Sequence, residues 1–139
     1  MSTNTSTAIG YDVFVADPQP MNGTESLPNG QPRVFQPIAV TLIHGRRDAV
    51  LVDPPLTREQ AEKVGDWVEA SGKRLTHIAA THGHGDHWFT AAVLAERFGA
   101  QVVTSAGAIA QMHNNVYARE VLWHVLWPNQ IPPSPRDVA

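Results

Sequence analysis

The chain has 139 residues, of which 42% are hydrophobic and 17% are charged, and this composition favours one soluble globular domain over a disordered or membrane-spanning protein. Its formal charge of −3 offers no basic field for nucleic acid or a membrane surface. Cysteine is absent, so disulfides and thiolate ligands are excluded, and any metal must be bound by His, Asp or Glu. No apolar run reaches the length of a transmembrane helix, and the polar first residues lack a secretory signal, which favours a cytoplasmic location.

The first third of the sequence predicts three β-strands. Residues 11–16 form the first strand, and a loop rich in Pro, Gly and Asn follows over residues 17–33. Two β-branched runs, 38–44 and 49–52, flank a short polar turn and therefore predict a hairpin. Pro54 follows this hairpin and ends its second strand, because proline cannot donate a hydrogen bond to a β-ladder.

Helices and strands alternate after the hairpin. Thr57 and Gln60 have the spacing of a capping box, and apolar residues at helical intervals predict a helix over residues 58–70. Residues 75–81 then predict a buried strand. This alternation indicates an α/β fold, in which a mixed sheet carries helices on one face.

The remaining sequence is mainly helical in pattern. Residues 88–98 predict a helix that is apolar on nearly every side, and residues 101–104 predict another strand. Helical patterns recur over residues 109–116 and 121–126. The tail, residues 128–139, is rich in proline and is expected on the surface.

The predicted sheet is apolar on both faces. Residues 38–43 and 49–52 show this, since a strand with one wet face would alternate apolar and polar residues. The predicted helices over 58–70 and 88–98 cover only one face. We therefore expect the other face to favour a homo-oligomer, unless the apolar helical segment 116–127 folds across it.

A cluster of histidines lies between the predicted strand and the apolar helix, in the segment His-Gly-His-Gly-Asp-His over residues 82–87. In an extended segment, residues two apart project the same way, so His82 and His84 can bind a single ion. His87 is expected to point away from that pair and to serve a second ion, and Asp86 suits the start of a helix. The alternative is an incidental or structural cluster, and the strand, loop and helix context weighs against it.

The segment Thr-His-Gly-His-Gly-Asp-His, residues 81–87, resembles the signature of the metallo-β-lactamase superfamily. The wider resemblance covers roughly residues 33–105 in the order of strands and loops. It implies the amino-terminal half of an αββα sandwich with a carboxy-terminal helical tail. We expect an amino-terminal strand and loop over 1–32, a truncated metallo-β-lactamase-like domain over 33–127 and the Pro-rich tail after it.

The resemblance also implies the metal ligands. It assigns His82 and His84 to one zinc ion, and Asp86 and His87 to a second. It gives Asp86 a further catalytic role in orienting the attacking water, and it places Asp53 behind a metal-bound imidazole, which it would orient. Iron or manganese is compatible with the same donors.

The function implied is that of a metal-dependent hydrolase, which uses metal-activated water to cleave an ester, lactone, amide or thioester in a small-molecule substrate. No nucleic acid or membrane partner is expected. The residues after His87 predict helices and a tail instead of a second sheet, so we expect the later metal ligands of the superfamily to be missing from this chain. The alternative is a non-catalytic module that binds metal weakly or acts as a protein-interaction partner.

The other histidines are predicted to be structural or surface residues. His44 ends a hairpin strand, and His77 lies inside a strand. His113 and His124 belong to helical patterns, in which Glu120 lies one turn before His124 and forms a plausible i,i+4 pair with it.

Overall fold

The structure is a computed structural model that describes residues 8–133, so the expectations for residues 1–7 and 134–139 lie outside the described residues. The elements, in chain order, are β1 (Gly10–Ala16), β2 (Gln19–Pro20), β3 (Val34–Phe35), β4 (Ile38–His44), β5 (Asp48–Val52), α1 (Arg58–Ala70), β6 (Arg74–Ala79), a 3₁₀ turn (Gly85–His87), α2 (Ala91–Phe98), β7 (Gln101–Val103), α3 (Ala106–Ala118), a π-helical turn (Arg119–Trp123) and α4 (His124–Leu126). No helix in this part of the chain is long and apolar enough to cross a membrane.

Five strands form one mixed sheet in the order β1-β4-β5-β6-β7. Neighbouring strands are antiparallel in the pairs β1–β4 and β4–β5, and they are parallel in the pairs β5–β6 and β6–β7. Parallel neighbours need a crossover connection, which α1 supplies between β5 and β6, and α2 between β6 and β7. Strands β2 and β3 form a separate two-stranded ribbon, in which β2 lies in the loop predicted over residues 17–33 and β3 follows directly after that loop.

Helix α1 begins at the predicted capping box. The Gln60 N–H donates to Thr57 Oγ1 over 3.2 Å, and the Thr57 N–H donates to Gln60 Oε1 over 3.1 Å. Both residues are buried, so these contacts satisfy backbone donors that water cannot reach. Ala61, Val64 and Val68 form the buried face of the helix and contact the sheet side of the core.

The core lies between the helices and one face of the sheet. Alternate residues of the central strands point into it, as Val40 and Leu42 of β4 and Leu51 of β5 show, and each of them is fully buried. Ile78 of β6 and Val102 of β7 continue this layer. The two-residue periodicity therefore sends the intervening side chains to the opposite face.

That opposite face is open on β1 and β4. Three side chains of β1 are exposed there, with Tyr11 72%, Val13 51% and Val15 61% accessible, and Ile43 of β4 is 40% accessible opposite Tyr11. These side chains are apolar or aromatic, and no helix in the described residues covers them. The expected uncovered sheet face is therefore present.

The carboxy-terminal helical segment does not close this face. Its two tryptophans pack instead against the core and the loop region, where Trp123 lies 5.4 Å from Phe89 and Trp127 lies 5.4 Å from Phe35, measured between ring centroids. The two predicted helices are also one run, because the π-helical turn joins α3 to α4 without a break. The prediction of a surface tail is wrong for its first residues, since Ile131 is buried against the core.

The prediction of a helix beginning at residue 88 is wrong. The 3₁₀ turn ends at His87, and Trp88 adopts φ −154°, which is not helical, so α2 begins only at Ala91. Trp88 and Phe89 are buried as core residues below the turn. Their apolar character therefore reflects tertiary packing and not the face of a helix.

Candidate metal centre

The histidine loop lies at the edge of the sheet where two parallel strands end. Val52 at the end of β5 is opposite Ala79 at the end of β6, so the residues that follow both strands are brought together. Asp53 follows the first strand, and its N–H donates to the Ala79 carbonyl over 2.8 Å. Asp53 has a positive φ of 55°, a left-handed conformation that Asp tolerates better than most residues. The fold thus places Asp53 beside the loop.

The Asp53 carboxylate binds Thr81, the residue before the first histidine. Asp53 Oδ1 accepts from the Thr81 N–H over 2.7 Å, and Asp53 Oδ2 accepts from the Thr81 hydroxyl over 2.8 Å. Thr81 Oγ1 also lies 2.9 Å from His82 Nδ1. The hydroxyl has a single proton and gives it to the carboxylate, so His82 Nδ1 must be the donor in this second contact. The other ring nitrogen of His82, Nε2, is then a free acceptor that can bind a metal ion.

The three imidazoles of the loop lie close together. The ring centroid of His82 is 4.8 Å from that of His84 and 4.1 Å from that of His87. His84 is exposed, whereas His82, Asp86 and His87 are half-buried. The expectation that His87 points away from the first pair is therefore wrong, because its ring is nearer to His82 than the His84 ring is.

His87 lies between two carboxylates. Its Nδ1 is 3.1 Å from Asp53 Oδ2, and its Nε2 is 3.4 Å from Asp86 Oδ2. The buried Nδ1 makes no hydrogen bond, so its contact with Asp53 is an ion pair at an angle unsuited to hydrogen bonding. The carboxylates of Asp53 and Asp86 raise the pKa of His87 to about 9 despite its burial, so the ring is charged at neutral pH when no metal is bound.

The two carboxylates respond in the opposite sense. Burial by itself would raise the pKa of Asp53, but the His87 ring and the Thr81 donors outweigh it and hold that pKa below its usual value. Burial likewise opposes ionisation of Asp86, and the charge of His87 again keeps its pKa low. Both groups are therefore carboxylates at neutral pH and can act as ligands or acceptors.

Two glycines allow the loop to pack tightly. A Cβ at Gly83 would lie 2.6 Å from Gln111 Cβ and 2.7 Å from the Ala108 carbonyl oxygen of α3, distances that real Cβ atoms do not show. A Cβ at Gly85 would overlap the buried ring of Phe89. Any side chain at either position would therefore push the loop away from its supports.

The His and Asp side chains of the loop are of the type that binds a divalent metal ion, although in the described residues they are not arranged around a common point. Within residues 8–133, no three His, Asp or Glu side chains already converge as a metal-binding group. The loop nevertheless supplies three adjacent imidazoles and a carboxylate, the ligands that zinc accepts. His82 offers a free Nε2, and the buried Nδ1 of His87 lacks a hydrogen bond. Rotation of the His87 ring out of its ion pairs would release it as a ligand.

The remaining histidines lie apart from this loop. His44, at the opposite end of the sheet, pairs with Asp12 over 3.0 Å. His77 contacts the neighbouring Thr76 hydroxyl, and His113 is exposed on α3. The predicted pair of Glu120 and His124 is present, with 3.5 Å between Oε1 and Nε2. None of these side chains joins the loop.

Sequence reasoning missed three residues that support the loop: Thr81, Trp88 and Gln111. Thr81 was adjacent to the histidines and could have been found from its position. The helical pattern over residues 88–98 gives Trp88 no role at the loop, although its indole Nε1 donates to the Gly83 carbonyl over 2.9 Å. Gln111 accepts from the Gly83 N–H over 2.7 Å and is separated from it by 28 positions, so no local pattern indicates the contact.

The chain matches a known protein family and several of its members. The family model of the metallo-β-lactamase superfamily matches residues 33–137. This chain belongs to the metallo-β-lactamase superfamily. Among its curated relatives, a UPF0173 metal-dependent hydrolase of Brucella anthropi is 41% identical over 64 residues, which cover 46% of this chain and 27% of the relative. A protein of the same name from Methylobacterium nodulans is 46% identical over 57 residues, which cover 40% of this chain and 24% of the relative. The chain thus spans about a quarter of the length of these curated relatives.

Solved structures share the fold. A metallo-β-lactamase from Pontibacter korlensis aligns with a TM-score of 0.57 at 20% identity, covering 95% of this chain and 52% of that one. The metallo-β-lactamase SMB-1 bound to 2-mercaptoethanesulfonate aligns with a TM-score of 0.56 at 23% identity, covering 73% and 39%. The Rm3 metallo-β-lactamase gives 0.56 at 26% identity, covering 76% and 39%. The predicted fold class is therefore confirmed as part of the metallo-β-lactamase fold.

Proposed function

We propose that this chain is the metal-binding part of a metal-dependent hydrolase. His82 and His84 bind one divalent ion, and Asp86 and His87 bind a second. The observation that carries this proposal is the grouping of three imidazoles at one strand end, with 4.1 Å and 4.8 Å between the His82 ring and its two neighbours. The shared name of the curated relatives, metal-dependent hydrolase, supports the same reaction class.

Each residue has a distinct part in this proposal. Divalent ions bound here would lower the pKa of a coordinated water and polarise a substrate carbonyl. Asp86 accepts a hydrogen bond from the attacking water and so orients it, while Thr81 keeps His82 in the tautomer whose Nε2 carries no proton. Asp53 fixes Thr81 and attracts His87, which links the end of β5 to the ligands.

The substrate class we propose is a small molecule with an ester, lactone, amide or thioester bond. The formal charge of −3 disfavours a nucleic-acid substrate, because a nuclease needs a basic track along the phosphates. Zinc is the proposed metal, since it accepts both imidazole and carboxylate, and iron and manganese share those donors.

We expect weak metal binding and slow turnover when the loop alone supplies the ligands. A catalytic zinc ion typically has three protein ligands, whereas the loop offers two per ion. Each ion is therefore held less firmly than in a complete site. A panel of ester and lactone substrates with added zinc checks this expectation, and metal-dependent turnover at ordinary enzyme rates would contradict it.

Metal analysis tests the proposal directly. Wild type and a His82→Ala, His84→Ala double variant are loaded with zinc, iron(II) or manganese(II), dialysed and analysed for bound metal. We expect the wild type to retain metal and the double variant to lose most of it. His113→Ala is the matched control, because His113 is an exposed histidine on α3 and should leave the metal content unchanged. Equal metal content in wild type and double variant would refute the assignment.

A second candidate function is protein interaction through the open sheet face, with little or no catalysis. The observation in its favour is the exposed row Tyr11, Val13 and Val15, which are 72%, 51% and 61% accessible. Light scattering tests it. The wild type should form dimers or larger species, whereas a Val13→Thr, Val15→Thr variant should be mostly monomeric. Val116→Thr changes an exposed valine elsewhere and serves as the control. A monomeric wild type that binds no hydrophobic dye would exclude this candidate.

A further inference from the structure

The backbone between the first two histidines is held from both sides by side chains outside the loop. The Gly83 N–H, in the peptide that joins His82 to Gly83, donates to Gln111 Oε1 over 2.7 Å. The Gly83 carbonyl, in the peptide that joins Gly83 to His84, accepts from Trp88 Nε1 over 2.9 Å. Each of the two peptides that lead to a histidine is therefore fixed by one hydrogen bond.

Both supports are themselves firmly placed. Gln111 lies in the middle of α3, whose first turn is capped by Ser105 and whose Met112 is buried. The Gln111 carbonyl also accepts from Asn115 Nδ2 over 2.9 Å, one turn further along. The Gln111 side chain thus extends towards the loop from a fixed point on a regular helix, not from a mobile segment.

Trp88 is equally constrained on the other side. Its side chain is buried, its ring packs 5.0 Å from that of Phe89, and the guanidinium of Arg119 lies 5.3 Å from its centroid. On the side facing α3, Gly83 approaches the helix backbone so closely that an added Cβ would lie 2.7 Å from the Met112 nitrogen. The loop is therefore held between α3 and the indole.

We infer that Gln111 and Trp88 are positioning residues, which hold His82 and His84 in one relative orientation so that both can bind the same ion. This inference rests on the proposed metal-binding function. The physical reason is preorganisation: without the two hydrogen bonds, the peptides on either side of Gly83 rotate, and their freedom must be lost when metal binds. Neither residue is a ligand, so their effect acts through the histidines.

A cobalt(II) titration of the whole chain tests this inference, because the visible absorption of cobalt reports the arrangement of its ligands. Gln111→Met keeps the length of the side chain but removes the acceptor, whereas Gln111→Glu keeps an acceptor oxygen. We expect Gln111→Met to weaken cobalt binding by roughly 10-fold or more and to change the absorption band. Gln111→Glu should restore the wild-type band. If Gln111 had only a structural role, the substitutions would lower the stability of the protein with and without metal, and the Gln111→Met and Gln111→Glu proteins would show the same cobalt spectrum.

Trp88→Phe provides an independent variant, since it removes the indole donor and retains an aromatic ring in the core. Circular dichroism of the metal-free variants shows whether each one folds, and the cobalt titration is then interpreted for the variants that do. Wild-type affinity and spectrum in a folded Gln111→Met or Trp88→Phe protein would overturn the positioning roles. If the wild type itself binds no cobalt, the proposed function fails, and the inference that rests on it falls at the same time.

Discussion

The close contact between Gly85 and Phe89 gives a prediction with a clear sign. Gly85→Ala adds a Cβ that would overlap the Phe89 ring, which is fully buried and cannot rotate into solvent. That ring also lies 4.6 Å from the guanidinium carbon of Arg119 and 5.4 Å from the ring of Trp123. The added methyl group must therefore displace either the loop or a side chain with several close partners.

The expected loss follows from these contacts. Inserting a methyl group into a well-packed core costs about 1–3 kcal/mol, and disturbing the aromatic and cation–π contacts of Phe89 costs roughly 0.5–1 kcal/mol more. The lower entropy of alanine in the unfolded chain offsets about 0.4–1 kcal/mol. We therefore expect Gly85→Ala to lower the free energy of unfolding by about 2 kcal/mol, which moves a urea midpoint by about 1 M.

Urea unfolding of the metal-free protein, followed by circular dichroism, measures this change. Gly107→Ala is the matched control: Gly107 lies in the first turn of α3 with no atom within 4 Å of an added Cβ, so alanine should raise the midpoint slightly. The two glycine substitutions thus have opposite expected signs. If Gly85→Ala left the midpoint unchanged or raised it as Gly107→Ala does, the packing of the loop on Phe89 would be wrong.

Three further predictions concern charged groups. The pKa of His87 is raised from 6.5 to about 9, so the charged ring stabilises the fold fully below pH 6.5, and this stabilisation is lost as the pH rises through 9. The urea midpoint of the metal-free protein should therefore fall between these two pH values, and His87→Gln should make the midpoint less dependent on pH. Asp53→Asn removes the first cause of this shift, and an NMR titration should then give His87 a pKa below 9, whereas an unchanged value would contradict the ion pair. Arg119 is buried, and its Nε and one terminal nitrogen, Nη2, lack hydrogen bonds. Arg119→Met should therefore keep or raise the urea midpoint. A decrease of more than about 1 kcal/mol in the free energy of unfolding would show instead that the cation–π contacts of Arg119 dominate.

The sequence predicts best those features whose determinants are close together along the chain. The capping box of Thr57 and Gln60 involves residues three apart, and the structure contains both of its hydrogen bonds. The hairpin of β4 and β5 follows from two β-branched runs and a short polar turn. The histidine loop is likewise a local pattern, and the family match places it within residues 33–137.

Features that depend on distant parts of the chain were missed or predicted wrongly. Trp88 and Phe89 have the apolar character of a helix, but they fill the core beneath a 3₁₀ turn, so the helix starts three residues later than predicted. The sequence predicts that His87 faces away from His82, but the two ring centroids are 4.1 Å apart, and His87 Nδ1 lies 3.1 Å from the distant Asp53. The support from Gln111 joins residues 28 positions apart, a distance at which no periodicity carries information.

The left-handed backbone at Asp53 affects how substitutions at this position must be interpreted. With φ at 55°, most side chains would add backbone strain of about 1–2 kcal/mol, whereas Gly and Asn tolerate this conformation. A saturation-mutagenesis scan would therefore rank Gly and Asn above Glu for protein abundance, even though Glu is the only one of the three that retains the charge. The ranking of substitutions at position 53 by protein abundance should therefore differ from their ranking by metal retention. Only a comparison of Asp with Asn isolates the electrostatic role of the carboxylate, because both residues tolerate the left-handed backbone.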